Sequence, residues 1–183
     1  MLRTNTCGEL EKKDEKKKVT LCGWVHSVRQ HGNLNFVDLK DRYGITQIVV
    51  SKDVFSDNLN FQDVLKITGA VKVKPEPNKK LKTGEIEVLV SAVEVLNKSE
   101  KIPLDISDET TAGDEARLKY RFLDLRRPVM QKRLAIRHKA AMAARQYLSE
   151  NDFLEIETPL LIRATPEGAR DYIVPSRIHS GKF

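Results

Sequence analysis

Cysteine is scarce in this chain. Cys7 and Cys22 are the only two in 183 residues, and their spacing suits neither a metal-ligand pair nor a disulfide framework for a domain this size. Long apolar runs are also missing. Nothing approaches the ~20 residues that a membrane span needs, and Met1-Leu2-Arg3-Thr4-Asn5 has no apolar stretch after its charge, so a secretory leader is not expected. These absences predict a reduced, cytoplasmic setting without membrane contact. His26, His138 and His179 are not arranged for metal binding or for nucleophilic catalysis. No sign of charge dominates either: 32 Lys and Arg face 26 Asp and Glu, a net of +6. Divided after Asp105, the chain has 18 basic and 15 acidic residues before the cut and 14 and 11 after it. So mild and even an excess fits ordinary solvation as well as a phosphate-binding surface.

What is present is a strand pattern. Residues 19 to 97 read as short strands separated by turn signals. Val19-Thr20-Leu21-Cys22-Gly23-Trp24-Val25 opens the series, and Asn33-Leu34-Asn35-Phe36-Val37-Asp38-Leu39 follows a His31-Gly32 turn. Ile45 to Val50, Leu65 to Val73 and Glu85 to Val90 complete it, with a short helix expected somewhere between Asp53 and Asp63. Three strands, a helical connection and two more strands is the order of a five-stranded OB barrel. An SH3-like barrel or part of a sandwich gives a similar pattern. Lys12, Lys13, Lys16, Lys17 and Lys18, interrupted by Asp14-Glu15, read as a solvated loop.

Beyond residue 98 the character changes. Pro103-Leu104-Asp105 ends the strands, and Ser107 to Gly113 is small and polar. Ala116 to Leu123 predicts a short helix. Pro128 stands where helices often start, and Met130, Leu134, Ala141, Ala144 and Leu148 recur at helical spacing to about Glu150. Phe153-Leu154-Glu155-Ile156-Glu157-Thr158 then reads as a strand halted by Pro159. The expected division is an OB domain over 1–105, a linker or hinge over 106–127, and the start of an α+β domain over 128–183. One helix and one strand cannot close a core, so the second part reads as cut from something longer.

Four segments carry a family resemblance. Phe153 to Leu161, after a long helix, resembles motif 1 of the class II aminoacyl-tRNA synthetases. Thr165-Pro166-Glu167-Gly168-Ala169-Arg170-Asp171-Tyr172-Ile173-Val174-Pro175-Ser176-Arg177 resembles the mobile active-site loop of the bacterial-type aspartyl enzymes. Arg121-Phe122-Leu123-Asp124-Leu125-Arg126-Arg127 resembles the approach to motif 1 in aspartyl, asparaginyl and lysyl enzymes. The strand-rich front, with Gly23-Trp24-Val25 and Asp38-Leu39-Lys40-Asp41-Arg42, is similar to their anticodon-binding OB domain.

The resemblance implies roles residue by residue. Glu167 matches a glutamate that contacts the ammonium of bound L-aspartate, a charge-assisted hydrogen bond; a surface turn glutamate is the alternative. Pro159 matches the motif 1 proline at a dimer interface. Phe36 matches a phenylalanine stacked on the central anticodon base, and Gln47 a glutamine that reads that base's edge. Strand alternation agrees, placing Val37 and Leu39 on one face and Leu34, Phe36 and Asp38 on the other. Arg29 matches a basic anticodon contact, with a solvated arginine as the competing reading. Glu87 matches a carboxylate at the first anticodon position, and Asn78 loosely matches a further contact. A histidine at the position of His31 tends to accompany relaxed reading of the third anticodon base, which would add tRNA-Asn to tRNA-Asp as a partner; a solvent-exposed turn histidine is the equally weighted alternative.

The resemblance implies an aspartate–tRNA ligase acting with ATP and Mg²⁺ as a homodimer. Motifs 2 and 3, which hold the adenylate-forming arginines, do not occur before Phe183, so no catalytic residue is expected here and the chain alone should form no adenylate. A free-standing OB-fold RNA-binding module is one alternative. An asparaginyl or lysyl synthetase is another.

Overall fold

The computed structural model of the protein describes residues 2–161 and 172–182. The chain divides into two compact units, residues 1–103 and 104–183.

In the first unit, alternation of apolar and polar residues drives β1 (Lys18–His31), β2 (Leu34–Lys40), β3 (Ile45–Ser51), β4 (Val64–Val73) and β5 (Ile86–Asn97). They close into a barrel in the order β1-β2-β3-β5-β4, with β3 and β5 parallel and the other pairs antiparallel. Closure removes free sheet edges. The inward row, Val19, Leu21, Val25, Val37, Leu39, Ile48, Val50, Leu65, Ile67, Val71, Ile86 and Val88, is almost fully buried. Each such side chain contributes roughly 1.5–3 kcal/mol relative to exposure.

Two strands run further than their sequences predicted. β1 continues to His31 because a bulge between Val25 and Ser27 bends it, so its first half pairs with β4 and its second with β2. The extra residue re-aims the strand without ending it. β5 likewise continues past Val90 to Asn97, pairing with Val64–Thr68 across a second irregularity at Gly69. There a Cβ would lie 2.3 Å from the Leu89 carbonyl oxygen. Gly69→Ala should therefore lower the barrel's melting temperature by about 10 °C in calorimetry, given overpacking costs of ~1–3 kcal/mol and the sensitivity of a domain this size.

The helix expected between Asp53 and Asp63 does not form. Side chains bond locally instead: Ser51 Oγ accepts from Asp53 N–H at 3.2 Å and donates to Asp53 Oδ2 at 3.0 Å, and Asp63 Oδ2 accepts from Asn60 N–H at 2.8 Å. Such local bonds offer the chain an alternative to helix. The lysine-rich stretch contains a 3-10 turn, Lys12–Asp14, closed by reciprocal Glu11 and Asp14 contacts. Cys7 is buried, and that burial pushes its thiol well above the ordinary range, which keeps it protonated.

The second unit comprises α1 (Asp114–Lys119), α2 (Arg121–Asp124) and α3 (Pro128–Glu150). The single short helix expected over 116–123 is broken at Tyr120, whose φ of −106° and ψ of 45° are not helical. Asp124, fully buried, gathers three guanidinium groups: Arg117 Nε at 3.0 Å, Arg121 Nη1, and Arg127 Nη1 at 3.0 Å. Arg127 is also the residue before α3, and the Asp108 carboxylate accepts from Val129 N–H at 3.0 Å in its first turn. The strand expected over Phe153 to Thr158 has no ladder partner among the described residues. Its side chains face solvent, Leu154 at 84% and Ile156 at 72% exposure. A strand exists only by pairing, and β-pattern alone supplies no partner.

Candidate nucleic-acid interface

The outer face of β1, β2, β3 and β5 is polar where it should be if it meets a ligand. The β1–β2 hairpin turns through Gly32-Asn33, with Gly32 at φ 56°, a region that costs glycine nothing. This short turn fixes the register: Arg29 stands opposite Phe36, and Ser27 opposite Asp38. On the next pairing Phe36 faces Val49 and Asp38 faces Gln47. Parallel pairing of Ile48 with Val88 then brings Gln47 beside Glu87. Four strands thus deliver Arg29, Phe36, Asp38, Gln47 and Glu87 to one patch.

Phe36 is half-buried, while its neighbours Val37 and Leu39 point into the core. The expected facing of this strand is what the barrel shows. A partly exposed ring on the outer wall can stack on a flat π system. Around Gln47 the polar atoms are tied into a chain. Arg29 Nη2 donates to Gln47 Oε1 at 3.5 Å, and Gln47 Nε2 donates to Glu87 Oε2 at 3.5 Å. Ser27 Oγ donates to Asp38 Oδ2 at 2.6 Å, while Asp38 Oδ1 lies 3.8 Å from Arg29 Nη2.

One member of this patch was not singled out by sequence reasoning. Lys74, just beyond β4, donates from Nζ to Gln47 Oε1 at 2.9 Å and is only 9% exposed. Burial pulls its ammonium below the ordinary lysine value, against the opposing pull of Glu87 and Asp38. In sequence Lys74 sits at the head of a Pro/Lys-rich loop, where a lysine reads as solvated.

The remaining candidates are placed apart from this chain of bonds. His31 is exposed at the tip of the β1–β2 hairpin, paired with Leu34. Among the described residues Asn78 makes its hydrogen bonds inside its own loop, accepting from Lys80 N–H at 3.0 Å and donating from its backbone to Gly84 O at 2.9 Å. Pro159 is exposed in the irregular stretch after α3. Glu167 lies outside the described residues.

Comparison with known proteins agrees with this architecture. Residues 19–96 match the OB-fold nucleic acid binding domain family, and residues 113–183 match the tRNA synthetases class II (D, K and N). An aspartate–tRNA ligase of Porphyromonas gingivalis is 47% identical over 190 residues, which cover 100% of this chain and 32% of that protein. An aspartate–tRNA(Asp/Asn) ligase of Caldanaerobacter subterraneus subsp. tengcongensis is 52% identical over 189 residues, covering 99% and 32%. The chain thus spans about a third of the length of the curated relatives it matches. Among solved structures, the asparaginyl-tRNA synthetase of Pyrococcus horikoshii complexed with asparaginyl-adenylate superposes with a TM-score of 0.78 at 28% identity, covering 92% of this chain and 39% of that one. An OB-fold match over residues 19–96 and a class II synthetase match over residues 113–183 make this chain similar, along its whole length, to about a third of each of these aspartate–tRNA ligases.

Proposed function

We propose that this chain supplies the anticodon-reading part of an aspartate–tRNA ligase, which joins L-aspartate to tRNA-Asp with ATP and Mg²⁺ in the cytoplasm. The observation that carries the reading is the patch itself: a half-open aromatic ring, Phe36, beside a tethered amide and carboxylate, Gln47 and Glu87, on the outer wall of an OB barrel. Unpaired bases are recognised by stacking combined with hydrogen bonds to their edges. Arg29 adds an exposed cation as a basic anticodon contact, and Asn78 extends the surface from the neighbouring loop.

On this reading Glu167 receives the ammonium of aspartate. Among the described residues no cluster of three or more His, Cys, Asp or Glu side chains fits a divalent ion, and no step is assigned to one. A second copy of the chain is the proposed partner of α3 and of the stretch containing Pro159. Exposed Leu134, Ile136, Leu148, Phe153 and Ile156 support that pairing, because apolar surface of this extent favours burial.

The test is binding of an anticodon stem-loop bearing the aspartate anticodon, against a hairpin with the same stem and a scrambled loop. Preference for the first is expected. Equal binding of both would reduce the interface to nonspecific phosphate attraction.

A second reading concerns breadth. His31, exposed at the hairpin tip where the third anticodon base would lie, supports relaxed discrimination and charging of tRNA-Asn, as in the relative whose name includes both tRNAs. The protein carrying this chain is expected to aspartylate tRNA-Asn transcripts, and His31→Leu to reduce that charging selectively. No charging of tRNA-Asn by the unaltered protein sinks the idea.

A further inference from the structure

Gln47 has an amide that faces either way with almost the same shape, yet the two ends offer a base opposite chemistry. We infer that Lys74 is the positioning residue that fixes this polarity, so that β3 presents an N–H donor to the base lying against Phe36. The inference rests on the anticodon reading above and goes beyond it, since it assigns a role to a buried lysine.

The geometry leaves one orientation. With Oε1 toward Lys74 at 2.9 Å and Arg29 at 3.5 Å, and Nε2 toward Glu87 at 3.5 Å, every contact pairs a donor with an acceptor. Reversing the amide would set N–H groups against two cations and a carbonyl oxygen against a carboxylate. All three contacts would then be repulsive. The two cations are not equivalent. Arg29 is exposed, with its bond at the outer limit of hydrogen-bond length. Lys74 is 9% exposed, and its bond is short. The ammonium is also kept from water, with Gln47 Oε1 as its close acceptor. Lys74 therefore decides the orientation and Arg29 follows it.

The chemical consequence is selective. One amide hydrogen of Gln47 is directed at Glu87, leaving the other for a ligand. A lone N–H donor that meets position 4 of a pyrimidine suits uracil, whose O4 accepts there, and opposes cytosine, whose N4 amino group donates there. Leaving an amino group against this donor strands two donors face to face.

The experiment compares two anticodon stem-loops that differ only in uracil or cytosine at the middle loop position. Each is titrated against the full 183-residue chain and its Lys74→Met, Lys74→Arg and Lys72→Met variants, with folding checked by thermal melting. The unaltered chain should favour uracil by about tenfold. Lys74→Met should erase most of that ratio, while Lys74→Arg, which keeps a cationic donor, should retain it. Lys72→Met removes an exposed neighbour on β4 and should weaken both RNAs equally, leaving the ratio intact. An equal loss for both RNAs with Lys74→Met would make Lys74 a mere phosphate contact and overturn the proposal alone. An unaltered chain that binds neither RNA would overturn the anticodon reading and this inference with it.

Discussion

Phe36→Ala should weaken binding of the aspartate anticodon stem-loop by ~1–3 kcal/mol, roughly fivefold to a hundredfold, while leaving the barrel's melting temperature nearly unchanged. The two halves of this expectation come from one fact. Phe36 is half-buried on the outer wall and is not part of the cluster of core residues, which is built from Val37, Leu39 and their partners. Its ring therefore supports ligand more than fold. Val37→Ala offers the mirror image. Val37 has no exposed surface, so its truncation should lower stability and leave the affinity of the remaining folded protein intact. Fluorescence anisotropy with labelled stem-loop separates the two cases. An unchanged affinity for Phe36→Ala would remove the ring from the interface. The same titrations should weaken steadily with salt in both proteins, because the phosphate contacts do not depend on the ring.

Asp124→Asn should destabilise the second unit by about 3 kcal/mol, the usual effect of breaking a buried ion pair from one side. The figure is set by Arg127, only 9% exposed on its side chain, whereas Arg117 and Arg121 at 25% and 44% can turn toward water. Losing the charge leaves the Arg127 guanidinium, next to the start of α3, with the Ser107 and Asp108 carbonyl oxygens and an Asp108 carboxylate 3.9 Å away. Amide hydrogen exchange over residues 127–131 should therefore quicken more than exchange in the middle of α3. Asp114→Asn is the control. Asp114 also pairs with Arg117, but at 89% exposure it should change stability little. Stability at Asp124 also depends on pH in a definite direction. The Arg117 hydrogen bond, opposed by burial and reinforced by Arg127, holds the Asp124 carboxyl below the usual aspartate range. A group with a depressed folded value contributes stability that is fully present above the unfolded value and lost as pH falls through the folded one. Between neutral pH and about 5 nothing should change at this site, and the loss should begin only below about 4, the ordinary aspartate value. A fall in stability above that range would point to another group.

Much of the first unit was legible because its signals are local. Alternation of apolar residues along Val19 to Val25, Leu34 to Leu39 and Ile45 to Val50 needs no knowledge of partners, since a period of two puts one face inward whatever the strand meets. The same alternation put Phe36 on the outer face. The failures have a shared origin as well. Residues 53–63 were expected to turn into helix, and the competing side-chain bonds of Ser51, Asp53 and Asp63 are visible only once the chain is folded. Phe153 to Thr158 has a strand's composition, but composition cannot provide a ladder. β5 runs to Asn97 because β4 pairs with it as far back as Val64, with Val93 and Val95 packed against the core.

By itself, the sequence determined the barrel's inward row, the hairpin that sets its register, the start of α3 at Pro128 and the likeness to the class II synthetases. Tertiary structure alone decided that Lys74, 27 residues from Gln47 along the chain, meets its carbonyl oxygen, and that Glu87, 40 residues away, meets its amide nitrogen. It also decided that three arginines converge on Asp124. The physical reason is the same throughout. Periodicity and turn chemistry act between neighbours in sequence, whereas the burial of a charge and the direction of an amide are fixed by atoms that only folding brings within hydrogen-bond reach.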